Sequence, residues 1–120
     1  MTTLIIGASA KPDRYSYKAM HMLAEYKYLS LLFSARSIEI EGHKVYQQLS
    51  EITEPIDTVT LYVNPRYLST IAQEIIALSP RRVIFNPGTE NSEVQQAFQK
   101  AGIKTLEACT LVLLRTNQYS

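Results

Sequence analysis

The chain has 120 residues, with 12 Lys or Arg against 11 Asp or Glu, a formal net charge of +1 and 46% hydrophobic residues. That is enough for one domain burying about two-thirds of its unfolded surface. The near-neutral balance offers no global field to nucleic acid or to a membrane, so neither partner is expected. A single cysteine excludes an internal disulfide and fits a reducing compartment. With no charged leader ahead of a long apolar run, and no apolar stretch of bilayer length, a cytoplasmic protein is the expectation.

Thr3–Ile6 is an unbroken apolar run of the kind found in strands buried on both faces, and it stops at Gly7. From Ser16 to about Lys27 a helix is expected, with Ala19, Leu23 and Tyr26 on one face and Met22 beside them. Tyr28–Ser34 is a second apolar run, and Arg36–Gly42 reads as a polar connection. Val45, Leu49 and Ile52 fit a short helix. Thr58–Val63, rich in β-branched residues, is a third strand, and Asn64-Pro65 starts the next helix. That helix has a clean stripe of Leu68, Ile71, Ala72 and Ile75 and is stopped by Ser79-Pro80. Arg82–Phe85 is a fourth strand. Ser92 is placed to cap a helix with Val94, Ala97, Phe98 and Ala101 on its apolar face and Gly102 at its C-cap. Lys104–Ala108 is a fifth strand, and Thr110–Arg115 is an apolar segment whose type the pattern leaves open.

Strands alternating with helices predict an α/β domain over residues 1–120, with a mostly parallel five-stranded sheet between two helical layers. In such sheets ligands sit at the carboxyl ends of the strands, near the point where strand order reverses. The distinctive residues fall at those ends. Gly7, Ala8, Ser9, Pro12, Arg14 and Ser16 follow the first strand; Phe33, Ser34 and Arg36 follow the second; Val63 and Asn64 follow the third; Asn86, Pro87, Gly88 and Thr89 follow the fourth.

A strand that ends at a glycine and restarts as a helix presents backbone N–H groups and the positive end of the helix dipole. Lys11, Arg14 and Lys18 add full charges, a combination suited to phosphate. The loop is not a G-x-G-x-x-G fingerprint, because Ser9 and Pro12 take the second and third glycine places. A plain tight turn with solvated charges accounts for the same residues. After the second strand an NAD site would present Asp or Glu. This chain has Arg36, which suits a phosphorylated ribose as in NADP or coenzyme A. Glu90 has no paired acid, Cys109 reads as a packed thiol, and His21 and His43 lack partners at ligand spacing. No catalytic residue and no metal site are therefore assigned.

Taken together, Gly7-Ala8-Ser9 with Pro12 and Arg14, Ile40-Glu41-Gly42 with Val45-Tyr46 and Leu49, Ile56-Asp57-Thr58-Val59, Asn86-Pro87-Gly88-Thr89-Glu90-Asn91 and Ala108-Cys109 carry a resemblance across nearly the whole chain. The chain resembles the small stand-alone coenzyme A-binding proteins, which are similar to the CoA-binding domain of the succinyl-CoA synthetase α-subunit. The resemblance implies a Rossmann-like fold and a bound coenzyme A, its diphosphate on Gly7, Ala8, Ser9, Pro12 and Arg14, with Asn86 to Thr89 as the rim below. In the ligases the phosphorylated histidine belongs to a further domain, so the resemblance implies binding without catalysis. The family's Pro-Val-Asn-Pro at the end of the second strand, beside the adenine, is here Leu32-Phe33-Ser34-Ala35, and Phe33 is offered as a stacking surface for a base. The expected function is non-catalytic binding of coenzyme A or an acyl-CoA, a small-molecule nucleotide ligand. Two alternatives stay open: a ligand-free structural or interaction protein, and a small NADP-dependent or thiol-redox enzyme using Cys109. Tyrosines and apolar residues near the C-terminus leave room for a homodimer.

Overall fold

The computed structural model describes residues 1–36 and 39–120; Ser37 and Ile38, in the expected polar connection, lie outside the described residues. In chain order the elements are β1 (Thr2–Ile6), α1 (Tyr15–Glu25), β2 (Leu29–Phe33), β3 (Glu39–Ile40), β4 (His43–Tyr46), β5 (Thr58–Leu61), α2 (Pro65–Ala77), β6 (Arg82–Phe85), α3 (Ser92–Lys100), β7 (Lys104–Glu107) and α4 (Thr110–Arg115). The strands form one sheet in the order β3-β4-β2-β1-β5-β6-β7. Every neighbouring pair is parallel except β3 with β4. From β1 the chain builds outward through β2 to β4, then crosses back to lay β5 on the other side of β1. The strand order therefore reverses between β1 and β5, where connections diverge and leave a crevice.

Alternation along the central strands divides the core. Leu4, Ile6, Val59, Leu61, Val83 and Phe85 face α2 and α3, meeting Leu68, Ile71, Ile75, Val94 and Phe98. Ile5, Leu32, Val45 and Ile84 face the other way, against Met20 and Leu23 of α1 and Leu114 of α4. Both faces are covered, so β5 and β6 are buried at every residue, which is why they read as continuous runs.

The sheet has seven strands where five were expected, and the two extra ones form a hairpin. Glu39 pairs with Lys44 and Ile40 with His43 across a two-residue turn. Its central residues, Glu41 (φ 51°) and Gly42 (φ 81°), take the left-handed conformations that match the twist of paired strands. Val45 therefore belongs to a strand, and the expected short helix shrinks to one 3-10 turn at Leu49–Glu51. Three apolar residues at helical spacing were too few to outweigh strand pairing. The hairpin turn is fastened to α1, where Tyr17 donates to the Glu41 carboxylate and His21 Nε2 lies 2.9 Å from Glu41 Oε1.

Two helix ends also differ from expectation. α1 stops at Glu25, leaving Tyr26 exposed as its C-cap. Lys27 (φ 67°) then turns the chain, with Tyr28 N–H bonding to Leu23 O and Lys27 N–H to Ala24 O. Asn91, not Ser92, caps α3, its Oδ1 accepting from Val94 N–H at 3.1 Å. Gly102 (φ 83°) follows the C-cap Ala101. The open C-terminal segment is α4. After it Tyr119 is buried at the amino end of the sheet: its hydroxyl bonds Thr3 Oγ1, its ring packs edge-on against Tyr28, and its carbonyl accepts from the buried Arg82.

Asp57 ties the same end together. Its N–H donates to Thr2 O, its carbonyl accepts from Arg81 and Arg82 N–H, and its carboxylate receives Arg81 Nε at 2.8 Å and Nη2 at 3.1 Å. Those guanidinium bonds, with one from Thr58, hold its carboxyl below the usual range against the opposing effect of burial. Because the folded value is depressed, the stabilisation is complete above the ordinary carboxylate range and fades as pH falls through the folded value. The Arg81 side chain is 53% exposed, so the pair contributes about 1 kcal/mol at most. Asp57→Asn is expected to lower neutral-pH stability by that amount, and urea titrations of variant and wild type should converge in acid.

Candidate functional site

Gly7 (φ 97°) is placed by the reversal of strand order. A Cβ there would meet Tyr62 O at 2.7 Å and Val63 Cγ1 at 3.1 Å, so the turn after β1 lies directly on the backbone leaving β5. Tyr62 N–H in turn donates to Ile6 O at 2.8 Å. Gly7, Ala8 and Val63 are thereby brought together at the crevice.

The amides of this turn are not all open. Gly7 N–H and Ala8 N–H both donate to Phe33 O, at 2.9 and 3.0 Å. The expected pocket of free N–H groups therefore begins later, because the carbonyl at the end of β2 takes the first two. Ser9 Oγ accepts Lys11 N–H at 3.1 Å, and Arg14 N–H closes onto Lys11 O at 3.0 Å. Beyond this the chain enters α1 with Arg14 as N-cap and no side-chain cap. Asn64 caps α2 and Asn91 caps α3. The first amide of α4, Thr110 N–H, donates to Asn86 Oδ1. Among the described residues, the first-turn amides of α1 have no protein acceptor. Lys11, Pro12 and Arg14 are exposed beside them, while Ser16 is buried in the first turn. Neither Lys11 nor Arg14 has an ion-pair partner among the described residues.

Past β2, the Phe33 ring is 3% exposed and packs into the core under α2, so it offers no face to a base. Phe33 therefore does not stack on a base and acts at the rim through its carbonyl. Ser34 is buried, its N–H donating to Tyr46 O and its Oγ accepting Arg36 N–H. Arg36 is exposed. Asn64 Oδ1 is engaged as the cap of α2, receiving Tyr67 N–H at 2.7 Å.

Asn86 is the structural hub of the rim. Its Nδ2 donates to Thr60 Oγ1 (2.7 Å) and Leu61 O (2.8 Å), and its Oδ1 receives Thr110 N–H (2.9 Å). Thr89 returns its hydroxyl and N–H to Asn86 O, leaving Pro87 and Gly88 exposed at the bend. Asn86 and Thr89 are buried, so they shape the rim and do not reach outward.

A cavity of about 190 Å³ lies beside them, lined by Tyr15, Tyr62, Asn86, Pro87, Cys109 and Leu111. Among the site residues expected from sequence only Asn86 and Pro87 reach it. The β-branched run Thr58–Val63 puts Tyr62 in a strand, whereas β5 ends one residue before it, at Leu61. Tyr15 and Leu111 carry no local signal, since the former opens a helix and the latter lies in the segment left open.

The reversal crevice, the strand–glycine–helix entry and the uncapped α1 define a Rossmann-like α/β domain, a class of fold whose ligands sit at the carboxyl rim of the sheet. A family model described as "CoA binding domain" matches residues 1–115, and the chain belongs to that family. The α subunit of the ADP-forming acetate–CoA ligase I of Pyrococcus furiosus is 33% identical over 76 residues, which is 58% of this chain and 16% of the ligase subunit. The chain thus spans a small part of that relative's length. A crystal structure of an uncharacterized protein superposes with a TM-score of 0.92 at 37% identity, covering 98% of this chain and 96% of the other. A structure from Thermus thermophilus gives 0.88 at 26% identity, over 98% and 89% of the two chains.

Two substitutions test this framework. Gly7→Ala adds a Cβ against Tyr62 O in a left-handed conformation and is expected to cost roughly 2–4 kcal/mol in denaturant unfolding. Asn86→Ala leaves Thr110 N–H and Leu61 O short of partners in the interior, and a loss of about 2–4 kcal/mol is expected in the same measurement.

Proposed function

We propose that the protein binds coenzyme A or an acyl-CoA without carrying out chemistry on it. The diphosphate rests on the Ser9–Arg14 loop and the first-turn amides of α1. Gly7 and Ala8 shape the floor, and Pro12 stiffens the loop. The Ser9 hydroxyl donates to a phosphate oxygen, Arg14 clamps the phosphates through its guanidinium, and Ser16 anchors the first turn. Arg36, beyond β2, is placed to meet the ribose phosphate beside Ser34. Val63, Asn64, Asn86, Pro87, Gly88 and Thr89 form the opposite wall. The observation that carries this reading is the N-terminus of α1, which no side chain caps and beside which Arg14 is exposed with no ion-pair partner among the described residues. Membership of the CoA-binding domain family supports the choice of nucleotide.

Thermal unfolding with coenzyme A, acetyl-CoA, NAD, NADP and ATP tests the reading. Coenzyme A at a hundred times its Kd adds about 2.7 kcal/mol, a shift of several degrees for a domain of this size. A flat response to both CoA species would exclude it. Arg14→Ala should weaken coenzyme A binding by roughly 1.5–3 kcal/mol in calorimetry, the value of a charge-assisted contact; unchanged affinity would place the phosphates elsewhere.

A further inference from the structure

Three helices begin with an amide held by an asparagine: Asn64 caps α2, Asn91 caps α3, and Asn86 receives the first amide of α4. α1 has neither a side-chain cap nor an acidic residue in its first turn. From Ala10 to Tyr15 every residue is exposed, and in the first turn Ser16 alone is buried. A helix start in that condition frays unless something else holds it.

The β3–β4 hairpin supplies the hold. Tyr17, in the first turn of α1, donates its hydroxyl to Glu41 Oε2, and His21 Nε2, one turn later, lies 2.9 Å from Glu41 Oε1. The Tyr17 and His21 rings lie against each other, with centroids 4.6 Å apart. The Tyr17 bond, with His21 and the charge of His43, keeps the Glu41 carboxyl below its usual range against the opposing effect of desolvation, so the group is ionised and accepts at neutral pH. The hairpin itself does not depend on this grip, because Ile40 and Val45 are buried and β4 is paired with β2. Glu41 moreover stands at φ 51°, a conformation that glycine adopts freely and that strains a residue with a side chain. A turn selected for its backbone alone favours asparagine or glycine there. The glutamate is explained by what its carboxylate grips on α1.

A cap and a clamp differ in one respect. A capping side chain accepts from the first-turn amides and so occupies donors that an anion needs. Glu41 grips the side chains of the helix instead, and the amides stay open.

We infer that Glu41 is a positioning residue for the nucleotide site, holding the start of α1 through Tyr17 and His21 in place of a cap. This rests on the reading of that helix start as the diphosphate site.

Hydrogen exchange on the unliganded full chain and calorimetry with coenzyme A test it together. Glu41→Gly suits the turn, so the amides of β4 should keep their protection. The amides from Lys18 to His21, the first to be bonded within α1, should exchange several-fold faster. Coenzyme A should bind about 2–5-fold more weakly, the upper range for a partly exposed pair. A carboxylate acting by charge alone predicts the opposite sign, because removing it near phosphates favours the anion. Glu41→Gln removes the charge and keeps an acceptor for Tyr17, and should restore most of both losses. Tyr17→Phe should reproduce them, and combined with Glu41→Gly should add little more. Unchanged exchange at Lys18–His21 in Glu41→Gly overturns the clamp. Faster exchange with unchanged or tighter coenzyme A binding overturns the positioning role and leaves the coenzyme reading standing. If wild type binds no coenzyme A, the coenzyme reading falls and the positioning role with it.

Discussion

At the reversal of strand order the backbone of Gly7 lies against that of Tyr62 so closely that a single added carbon would meet the Tyr62 carbonyl at 2.7 Å. This approach sets the spacing between the turn after β1 and the segment after β5. The same turn is drawn to β2 by two amide bonds to Phe33 O. The loop is therefore held from both sides before it enters α1, and the direction of that helix follows. A looser turn would let the helix tilt and would disperse the amides that make its N-terminus useful to an anion.

The rim has a division of labour between buried polar groups and exposed ones. Asn86, Thr60, Thr110 and Thr89 satisfy one another and fix β5, β6 and the start of α4 in mutual register. Ser9, Lys11, Arg14 and Arg36 stand outside that network, and among the described residues the Lys11, Arg14 and Arg36 side chains have no ion-pair partner. Satisfied interior networks rigidify what they connect, so the exposed donors are presented on a stiff frame, which lowers the ordering cost of binding.

Much of the architecture was legible because the parallel strands are covered on both faces. Thr3–Ile6 and Arg82–Phe85 had no competing period, and the α2 stripe from Leu68 to Ile75 has a full helical repeat that matches its buried residues. The β3–β4 hairpin was not legible, since each strand is too short to establish alternation and Val45, Leu49 and Ile52 imitate a helical face. The placement of the candidate site at the strand ends follows from topology and could be read from the alternation of elements. Which amides stay free could not, because the acceptor for Gly7 and Ala8 is a carbonyl from the next strand. The ring of Phe33 shows the same limit, for its position after an apolar run says nothing about which layer it enters. The buried bond between Thr60 and Thr110 joins positions fifty apart, and no local pattern records it.

The seating of Tyr119 has a consequence for how the chain reaches its native state. Its phenol grips Thr3, 116 positions away, and its carbonyl and ring face cover the guanidinium of Arg82. Until that aromatic arrives, the cation at the start of β6 lacks its lid and the floor of the sheet stays wet. Closing the floor therefore joins segments 116 positions apart, a contact that carries the entropy cost of so long a loop.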